Sequence, residues 1–250
     1  MAAETNSHLT ELFPRRTDAV DLAAAYAFPE GATPWLRAVF VASADGAATL
    51  GGRSGGLGNA TDRQLFALGR ALADVVLVGA GTVRVEGYGP AEESSEWRFL
   101  REGRPPTPAI AVVSRSLNLD LSAPLFSAAP EHARTMVLTT GAAPRERLQA
   151  ANKIADVIVA GDSTVNLTTA ITELGERGYH RISCEGGPRL LANLVTADCL
   201  DELCLTCSPV IVSGDAIRIT NGPRLDVPFN MRLVQVLTNE SYLFVRYLRA

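Results

Sequence analysis

From about residue 36 onward, the chain alternates short apolar runs with segments of helical periodicity, and this alternation constrains its fold most. The runs are rich in Val, Ile and Leu without strict alternation, which is typical of strands covered on both faces. They are Leu36–Ser43, Asp74–Gly79, Pro108–Ser114, Thr135–Thr140, Asp156–Ala160 and Arg181–Cys184. The helix candidates between them are Thr61–Leu72, Pro144–Asn152, Leu167–Arg177 and Pro188–Val195. The pattern predicts a three-layer α/β/α fold with a mostly parallel central sheet.

The C-terminal part of the chain departs from this pattern. Leu203–Val212 predicts one long strand, and Met231–Leu237 and Tyr242–Leu248 flank the short turn Thr238–Ser241. Two strands joined by a tight turn predict a hairpin, so this end of the sheet should be antiparallel. Because no linker or repeat divides the chain, we expect one domain over residues 31–250. Residues 1–30 are predicted to form an N-terminal arm with one short helix, Asp18–Phe28.

Two local signals refine the element boundaries. Thr61 is followed three residues later by Gln64, which is the spacing of a capping box and predicts that a helix begins there. The segment Arg84–Pro108 contains prolines, glutamates and serines without periodicity. It is predicted to be a long loop.

The charge balance and the distribution of apolar residues exclude several classes of protein. The chain has 27 acidic and 23 basic residues, for a net charge of −4, whereas nucleic-acid-binding proteins usually have a basic excess. No apolar run approaches the roughly 20 residues that span a bilayer, and the N-terminus lacks the order of a signal peptide. We therefore expect no nucleic acid or membrane as a partner, and a cytoplasmic location.

The cysteines do not indicate a metal site. Cys204 and Cys207 form a C-x-x-C pair, but they lie in an apolar run that resembles a buried strand, with no histidine nearby. Residues three apart on a strand also point to opposite faces. We interpret them as core cysteines of a protein from a reducing compartment, and expect no metal.

Three glycine-bearing segments each follow a predicted strand: Ser43–Gly46, Val78–Thr82 and Cys184–Pro188. Glycines at strand-to-helix junctions let phosphate oxygens approach backbone N–H groups, so three of them in one sheet indicate a nucleotide site. Other nucleotide and hydrolase motifs fail. The third glycine of a Rossmann fingerprint would stand at position 84, which is Arg84, and neither a P-loop G-K-S/T nor a G-x-S-x-G elbow is present.

Taken together, these segments resemble a known family. The set comprises Ser43-x-Asp-Gly46, Ser54, Leu68-Gly-Arg-Ala71, Ala73–Val83, Glu185-Gly-Gly-Pro188, Leu200-Asp-Glu-Leu203 and Ser208-Pro-Val-Ile211. It is similar to the pyrimidine reductases of riboflavin biosynthesis, which form the reductase domain of RibD. The resemblance runs from about Leu36 to the C-terminus and implies a dihydrofolate-reductase-like fold that binds NADPH across the carboxyl ends of the strands.

The resemblance also implies the roles of individual residues. The cofactor-binding residues would be Val41, Gly79, Gly81, Thr82, Ser114, Arg115, Glu185, Gly186 and Gly187. Ser114 and Arg115 would meet the 2′-phosphate of NADPH, for which paired guanidinium donors are suited. Ser54 and Arg70 would contact the substrate. Asp45 and Glu86 are the candidate catalytic proton donors, with water as the alternative.

Two departures from the family pattern leave the substrate open. Arg37 to Ala42 stand where the family often has a lysine, and the family's L-T-x-R segment, which binds the substrate phosphate, is replaced by Glu86–Pro90, with Arg98 and Arg101 further on. The leading hypothesis is NADPH-dependent reduction of the ribosyl group of a phosphoribosylamino-pyrimidine to a ribitylamino-pyrimidine. The alternatives are a dihydrofolate-type or other pterin reductase, and a non-catalytic NADPH-binding protein. The resemblance further implies a homodimer formed through the C-terminal strands.

Overall fold

The computed structural model describes residues 9–250, so the first eight residues of the predicted N-terminal arm lie outside the described part of the chain. The strands are β1 Thr10–Phe13, β2 Trp35–Ser43, β3 Val75–Gly79, β4 Ala109–Val113, β5 Met136–Thr139, β6 Asp156–Val159, β7 Arg181–Cys184, β8 Glu202–Ser208, β9 Met231–Asn239 and β10 Tyr242–Arg249. The helices are α1 Leu22–Ala25, α2 Ala60–Leu72, α3 Ala80–Glu86, α4 Pro124–Ser127, α5 Arg145–Ile154, α6 Leu167–Glu176 and α7 Pro188–Thr196. Short 3₁₀ helices occupy Arg98–Arg101 and Glu131–Ala133.

The ten strands of residues 9–250 form one sheet in the order β1-β9-β10-β8-β2-β7-β3-β4-β5-β6. From β8 across to β6 the pairings are parallel, and those of β8 with β10, β10 with β9, and β9 with β1 are antiparallel. The predicted mostly parallel sheet with an antiparallel C-terminal hairpin is therefore confirmed. Its parallel strands bring their carboxyl ends to one edge, where open α/β sheets bind ligands.

Helices cover both faces of the sheet. Val75 and Leu77 of β3 pack in one core cluster with Leu174 of α6 and Leu191 of α7. The intervening Val76 and Val78 pack on the other face, in a cluster that includes Val83 of α3 and reaches α5. On that face α2 places Leu65, Leu68 and Leu72 against Leu237 and Phe244 of the hairpin. The three-layer prediction is confirmed, and buried residues at both odd and even positions of β3 explain why its sequence does not alternate.

The predicted capping box of α2 is wrong. The helix begins one residue earlier, and its N-cap is Asn59, whose side chain accepts a hydrogen bond from the N–H of Asp62 at 2.9 Å. Thr61 is buried instead and donates its hydroxyl to Asn239 at 2.9 Å. Thr61 lies within the first turn of α2, so it is not the N-cap of this helix.

Three other predicted boundaries also differ. β8 ends at Ser208 rather than at residue 212, because Pro209 has no N–H for the ladder and the chain then turns away. The predicted loop starts at Gly87, where a φ of 72° ends α3. In the N-terminal arm the helix is limited to Leu22–Ala25, and Thr10–Phe13 forms an unpredicted strand that pairs with β9.

A buried ion cluster links the N-terminal segment to the sheet. The carboxylate of Glu202 on β8 lies 2.8 Å from Arg37 Nε on β2 and 2.8 Å from Arg246 Nη2 on β10. The contact with Arg37 Nε is an ion pair whose angles do not form a hydrogen bond. Arg37 also donates to the Tyr26 carbonyl at 2.8 Å, and Arg246 donates to the Ala25 carbonyl. Burial by itself would raise the pKa of Glu202, but the two guanidiniums hold it below its usual value. Arg37 stands in the segment where the family often has a lysine. Here it pairs with Glu202 and helps to hold residue 26 against the sheet.

Candidate active site

The turns after β3 and β7 meet at the carboxyl edge of the sheet. The N–H of Gly79 donates to the carbonyl of Gly186 at 2.6 Å, and a Cβ on Gly79 would lie 3.5 Å from the nitrogen of Gly187. A Cβ on Gly187 would overlap the hydroxyl of Thr82, and Gly186, joined to Gly187 by a cis peptide, has a φ of 96°. The two turns therefore pack closely, and the positive φ of Gly186 requires glycine there, whereas a Cβ on Gly79 would make only ordinary contacts. Gly81 lies beside them and faces open space.

Helix α7 begins at this meeting point. Gly187 is its N-cap, Pro188 occupies its first turn, and no side chain caps it. The first-turn N–H groups of a helix lack intrahelical acceptors and favour anions. The nine-residue helix α7 thus begins where the resemblance implies that the pyrophosphate of the cofactor binds.

Three side chains lock together next to these glycines. Arg70 of α2 donates Nε and Nη2 to the two carboxylate oxygens of Glu185, both at 2.7 Å, and the Tyr88 hydroxyl donates to Glu185 Oε2 at 2.9 Å. The Glu185 side chain is only 2% exposed. The guanidinium of Arg70 also lies over the ring of Phe66 at 4.7 Å. Burial and the neighbouring Glu185 raise the pKa of Tyr88, so its hydroxyl stays a hydrogen-bond donor.

This arrangement changes the picture of Arg70 drawn from the sequence. A substrate contact for Arg70 stays a prediction, and two of its five N–H donors are directed to Glu185. Tyr88, absent from the predicted site, is the third member of the group. Its signal in the sequence is slight: one aromatic residue between Gly87 and Gly89, in a segment predicted to be a loop.

Two other predicted residues also meet. Ser54 donates both its N–H and its hydroxyl to Glu86 Oε1, at 3.0 and 3.1 Å. Glu86 is the last residue of α3, and Ser54 lies in the glycine-rich segment between β2 and α2. Their contact ties that segment to the end of α3, beside the glycine turns.

Asp45 holds two segments together at the end of β2. Its carboxylate accepts the Ser43 hydroxyl at 2.5 Å and the N–H groups of Val212 and Ser213 at 3.2 and 2.7 Å. The Ser43 hydroxyl and these backbone N–H groups lower the pKa of Asp45 to about 2. The carboxylate is therefore ionised at neutral pH and is a better acceptor than donor of a proton. Its predicted role as a proton donor is not tested by this contact.

The remaining predicted residues lie at or near the same edge. Val41 is half-buried close to the end of β2. Ser114 directly follows β4 and is buried, with its N–H bonded to the Leu138 carbonyl at 2.9 Å. Arg115 is exposed and has no hydrogen-bond or ion-pair partner among residues 9–250. After β5, Thr140 is buried, and its hydroxyl has no partner in the described chain.

Metal-binding groups, membrane-spanning helices and cysteine pairs were the other features that the described residues could contain. Within the described residues no group of three or more His, Cys, Asp or Glu side chains is placed to hold a metal ion. No helix between residues 9 and 250 is long and apolar enough to cross a membrane. All four cysteines are free thiols, with Cys184 and Cys204 buried in the core.

The chain matches a known protein family. The model of the RibD C-terminal domain matches residues 34–243. Two curated relatives are each named 2,5-diamino-6-ribosylamino-4(3H)-pyrimidinone 5′-phosphate reductase. The protein from Archaeoglobus fulgidus is 31% identical over 156 residues, which are 61% of this chain and 70% of that protein. The protein from Aquifex aeolicus is 32% identical over 149 residues, which are 59% of this chain and 62% of that protein.

Solved structures agree in fold. A pyrimidine reductase-like protein from Corynebacterium diphtheriae is 32% identical, with a TM-score of 0.79 over 87% of this chain and 92% of that one. RibD from Acinetobacter baumannii is 18% identical, with a TM-score of 0.69. The alignment with it covers 88% of this chain but only 59% of that one, and at this identity it supports the fold alone.

Proposed function

Since this chain belongs to the RibD C-terminal domain family, we propose that it is an NADPH-dependent reductase that converts a ribosylamino-pyrimidine phosphate to its ribitylamino form. The curated relatives carry the reductase activity predicted from the sequence. The observation that supports the proposal most is the meeting of the β3 and β7 turns at Gly79 and Gly186, beside the buried carboxylate of Glu185. It forms a backbone-lined edge next to ordered polar side chains.

The residues at this edge fit a nicotinamide dinucleotide. Gly81 faces open space, so a phosphate can approach the backbone there, and the uncapped first turn of α7 offers N–H donors. When bound, the cofactor supplies the hydride that reduces the ribosyl carbon. The chain orients the two reactants, which is the larger part of what a protein contributes to such a reaction.

The proton that accompanies the hydride needs a separate donor. Glu86 accepts two hydrogen bonds from Ser54, and Asp45 is ionised with its pKa near 2. Ionisation disfavours Asp45 as the donor, which leaves Glu86 and water as the candidates.

Turnover by the purified protein tests the activity. We expect loss of the near-ultraviolet absorbance of NADPH with the phosphorylated pyrimidine for which the relatives are named, and no loss with dihydrofolate. Turnover of dihydrofolate alone would favour the pterin reductase. Tight NADPH binding without oxidation by either compound would favour a non-catalytic binding protein.

The choice of NADPH over NADH is assigned to Arg115. Its unpaired guanidinium, directly after buried Ser114 at the end of β4, suits the 2′-phosphate that distinguishes NADPH. We expect Arg115→Ala to lower the ratio of kcat/KM for NADPH to that for NADH by about 10- to 100-fold. Arg177→Ala, exposed at the end of α6, is the control. An unchanged ratio in Arg115→Ala would remove this residue from the cofactor site.

We also propose a homodimer formed through the C-terminal strands. Leu233 pairs with Tyr247, which shares a face of β10 with Leu243, so Leu233 and Leu243 project from the same side of the sheet, and both are exposed. Ile211 and Val227, in the segment between β8 and β9, are 72% and 75% exposed. Exposed apolar residues in this C-terminal region support an interface there.

Light scattering after size-exclusion chromatography measures the oligomeric state. We expect a dimeric mass for the unmodified protein and a monomeric mass for Leu233→Glu combined with Leu243→Glu. Val159→Asp, exposed on β6 at the opposite end of the sheet, should keep the dimeric mass. A monomeric mass for the unmodified protein would reject the dimer.

The proposal includes a reducing, cytoplasmic location, which the free cysteines support.

A further inference from the structure

Asp62 is a partly buried carboxylate without a cation partner. It lies in the first turn of α2, and the Thr206 hydroxyl of β8 donates a hydrogen bond to it. Among residues 9–250, no arginine or lysine lies within ion-pair distance of its carboxylate. Burial raises the pKa of Asp62, and the opposing effects of Thr206 and Arg63 are smaller. A ligand that donates N–H groups to this carboxylate would offset the cost of its burial.

The contact with Thr206 places Asp62 close to the carboxyl edge of the sheet. Thr206 pairs with Val41 of β2, and each of the two residues stands two positions before the end of its strand. Val41 is one of the residues that the family resemblance implies for the cofactor. The carboxylate of Asp62 is therefore near the edge at which both reactants are proposed to bind.

One face of α2 connects Asp62 with the other polar side chains of this edge. Asp62, Phe66 and Arg70 are spaced four residues apart, so they lie along the same side of the helix. The guanidinium of Arg70 lies over the Phe66 ring, as this spacing requires. At the far end of the face, Arg70 binds Glu185 beside the β7 glycine turn.

Two spaces adjoin this face of α2. A cavity of about 20 Å³ is lined by Asp62, Phe66 and Thr206, among others, and has room for one water-sized group. A cleft of about 500 Å³, within the range of small-molecule sites, is lined by Phe66, Arg70 and Tyr88, among others. Because Phe66 lines both, the arrangement suits a flat ring that packs against Phe66 and directs one small polar group toward Asp62.

A carboxylate selects which edge of a ring it meets. Its two oxygens accept hydrogen bonds from two adjacent N–H donors. The pyrimidinone for which the relatives are named has such an edge, because its 2-amino group stands next to the ring N–H at position 3. In the corresponding uracil a carbonyl replaces the 2-amino group, and a carboxylate repels that oxygen.

We propose that Asp62 contacts the pyrimidine ring of the substrate and selects the 2-amino-4-pyrimidinone over its uracil counterpart. The proposal rests on the proposed reductase function and deepens it, because that function leaves the ring of the substrate open. It also gives the reaction a place in a sequence of reactions. The product retains its 2-amino group, so any hydrolytic deamination of the ring follows this reduction.

Steady-state kinetics with the two phosphorylated ribosylamino-pyrimidines test the selection. We expect kcat/KM of the unmodified protein to be about 10- to 100-fold higher for the 2-amino-4-pyrimidinone than for the uracil. Asp62→Asn replaces one acceptor oxygen by an NH₂ donor, which suits the uracil carbonyl, so this ratio should fall by about 10- to 100-fold. Asp162→Asn, exposed after β6, is the matched control and should leave the ratio unchanged. Loss of folded protein lowers both rates equally, so the ratio reports selection and not stability.

Calorimetric titration with 2-amino-4-pyrimidinone and with uracil, in the presence of NADP⁺, tests the contact without turnover. The unmodified protein should bind the first ring more tightly, and Asp62→Asn should remove the difference. Equal affinity of the unmodified protein for both rings, or a kinetic ratio that Asp62→Asn leaves unchanged, would overturn the proposal.

The same variant separates this proposal from the proposed function. Dihydrofolate has a 2-amino-4-oxo edge like that of the pyrimidinone. If Asp62→Asn abolished turnover of dihydrofolate while the unmodified protein reduced neither pyrimidine, the contact of Asp62 with that edge would stand and the pyrimidine reductase function would be rejected.

Discussion

Arg70 illustrates how the surroundings of a residue decide what it can do. The sequence places an arginine on a predicted helix, and the family resemblance implies a substrate contact. In the fold, two of its nitrogens bind Glu185, and its guanidinium lies against Phe66. Its immediate effect is to fix the carboxylate next to the glycine turn, together with Tyr88. A substrate contact for Arg70 stays a prediction, and it would have to involve the N–H donors that do not bind Glu185.

Asp45 gives a pH-dependent prediction at the same scale. Hydrogen bonds from Ser43, Ser213 and Val212 lower its pKa from 3.8 to about 2. A carboxyl group whose pKa is depressed in the folded state contributes stability above its unfolded pKa and loses that contribution as the pH falls through its folded pKa. We expect Asp45→Asn to lower Tm at neutral pH, and the difference from the unmodified protein to shrink between pH 3.8 and about 2.

Thermal unfolding monitored by circular dichroism from pH 7 to pH 2 measures this difference. Asp226→Asn, which changes an exposed aspartate in the segment between β8 and β9, is the control for loss of one negative charge. A Tm difference that stays constant over the whole range would show that Asp45 does not stabilise the fold through its charge.

At the scale of elements, α2 separates a correct prediction from an incorrect one. Its length and buried face follow from the spacing of Leu65, Leu68 and Leu72, and both are observed. The sequence predicts the wrong N-cap, because Asn59 and Thr61 both have capping side chains and stand only two residues apart.

The corrected cap can be tested by mutation. We expect Asn59→Ala to lower the free energy of unfolding by about 1 kcal/mol, because the N–H of Asp62 loses its acceptor. Urea denaturation measures the change, and Asn118→Ala, at an exposed asparagine before α4, is the matched control. Equal stabilities of the two variants would contradict the assignment of Asn59 as the cap.

At the scale of the whole molecule, the buried cluster around Glu202 joins parts of the chain that are far apart in sequence. It connects β2, β8 and β10 with the backbone of residues 25–27. Arg37 and Glu202 are each 1% exposed, and removing one charge of such a pair leaves the other buried without compensation.

We therefore expect Glu202→Gln to lower the free energy of unfolding by about 3–5 kcal/mol in urea denaturation. Glu176→Gln, exposed at the end of α6, should change it by less than about 0.5 kcal/mol. A Glu202→Gln variant as stable as this control would mean that the cluster is not coupled to folding of the sheet.

The sequence by itself determined the class of fold, most strand and helix positions and the three glycine turns. These features are local: apolar runs, helical periodicity and glycines act through neighbouring residues, so a single chain displays them. For example, β7 has the predicted bounds, and β3 begins one residue after its predicted start.

Only the tertiary structure decided which side chains meet. The pairing of Arg70 with Glu185 spans 115 residues, that of Ser54 with Glu86 spans 32, and β1 pairs with β9 across almost the whole chain. Neither the partner of Arg70 nor that of Glu86 can be identified before the packing of the chain is known. Hydrogen bonds and ion pairs depend on distances of about 3 Å, and the sequence specifies those distances only through the packing of the complete sheet and its helices.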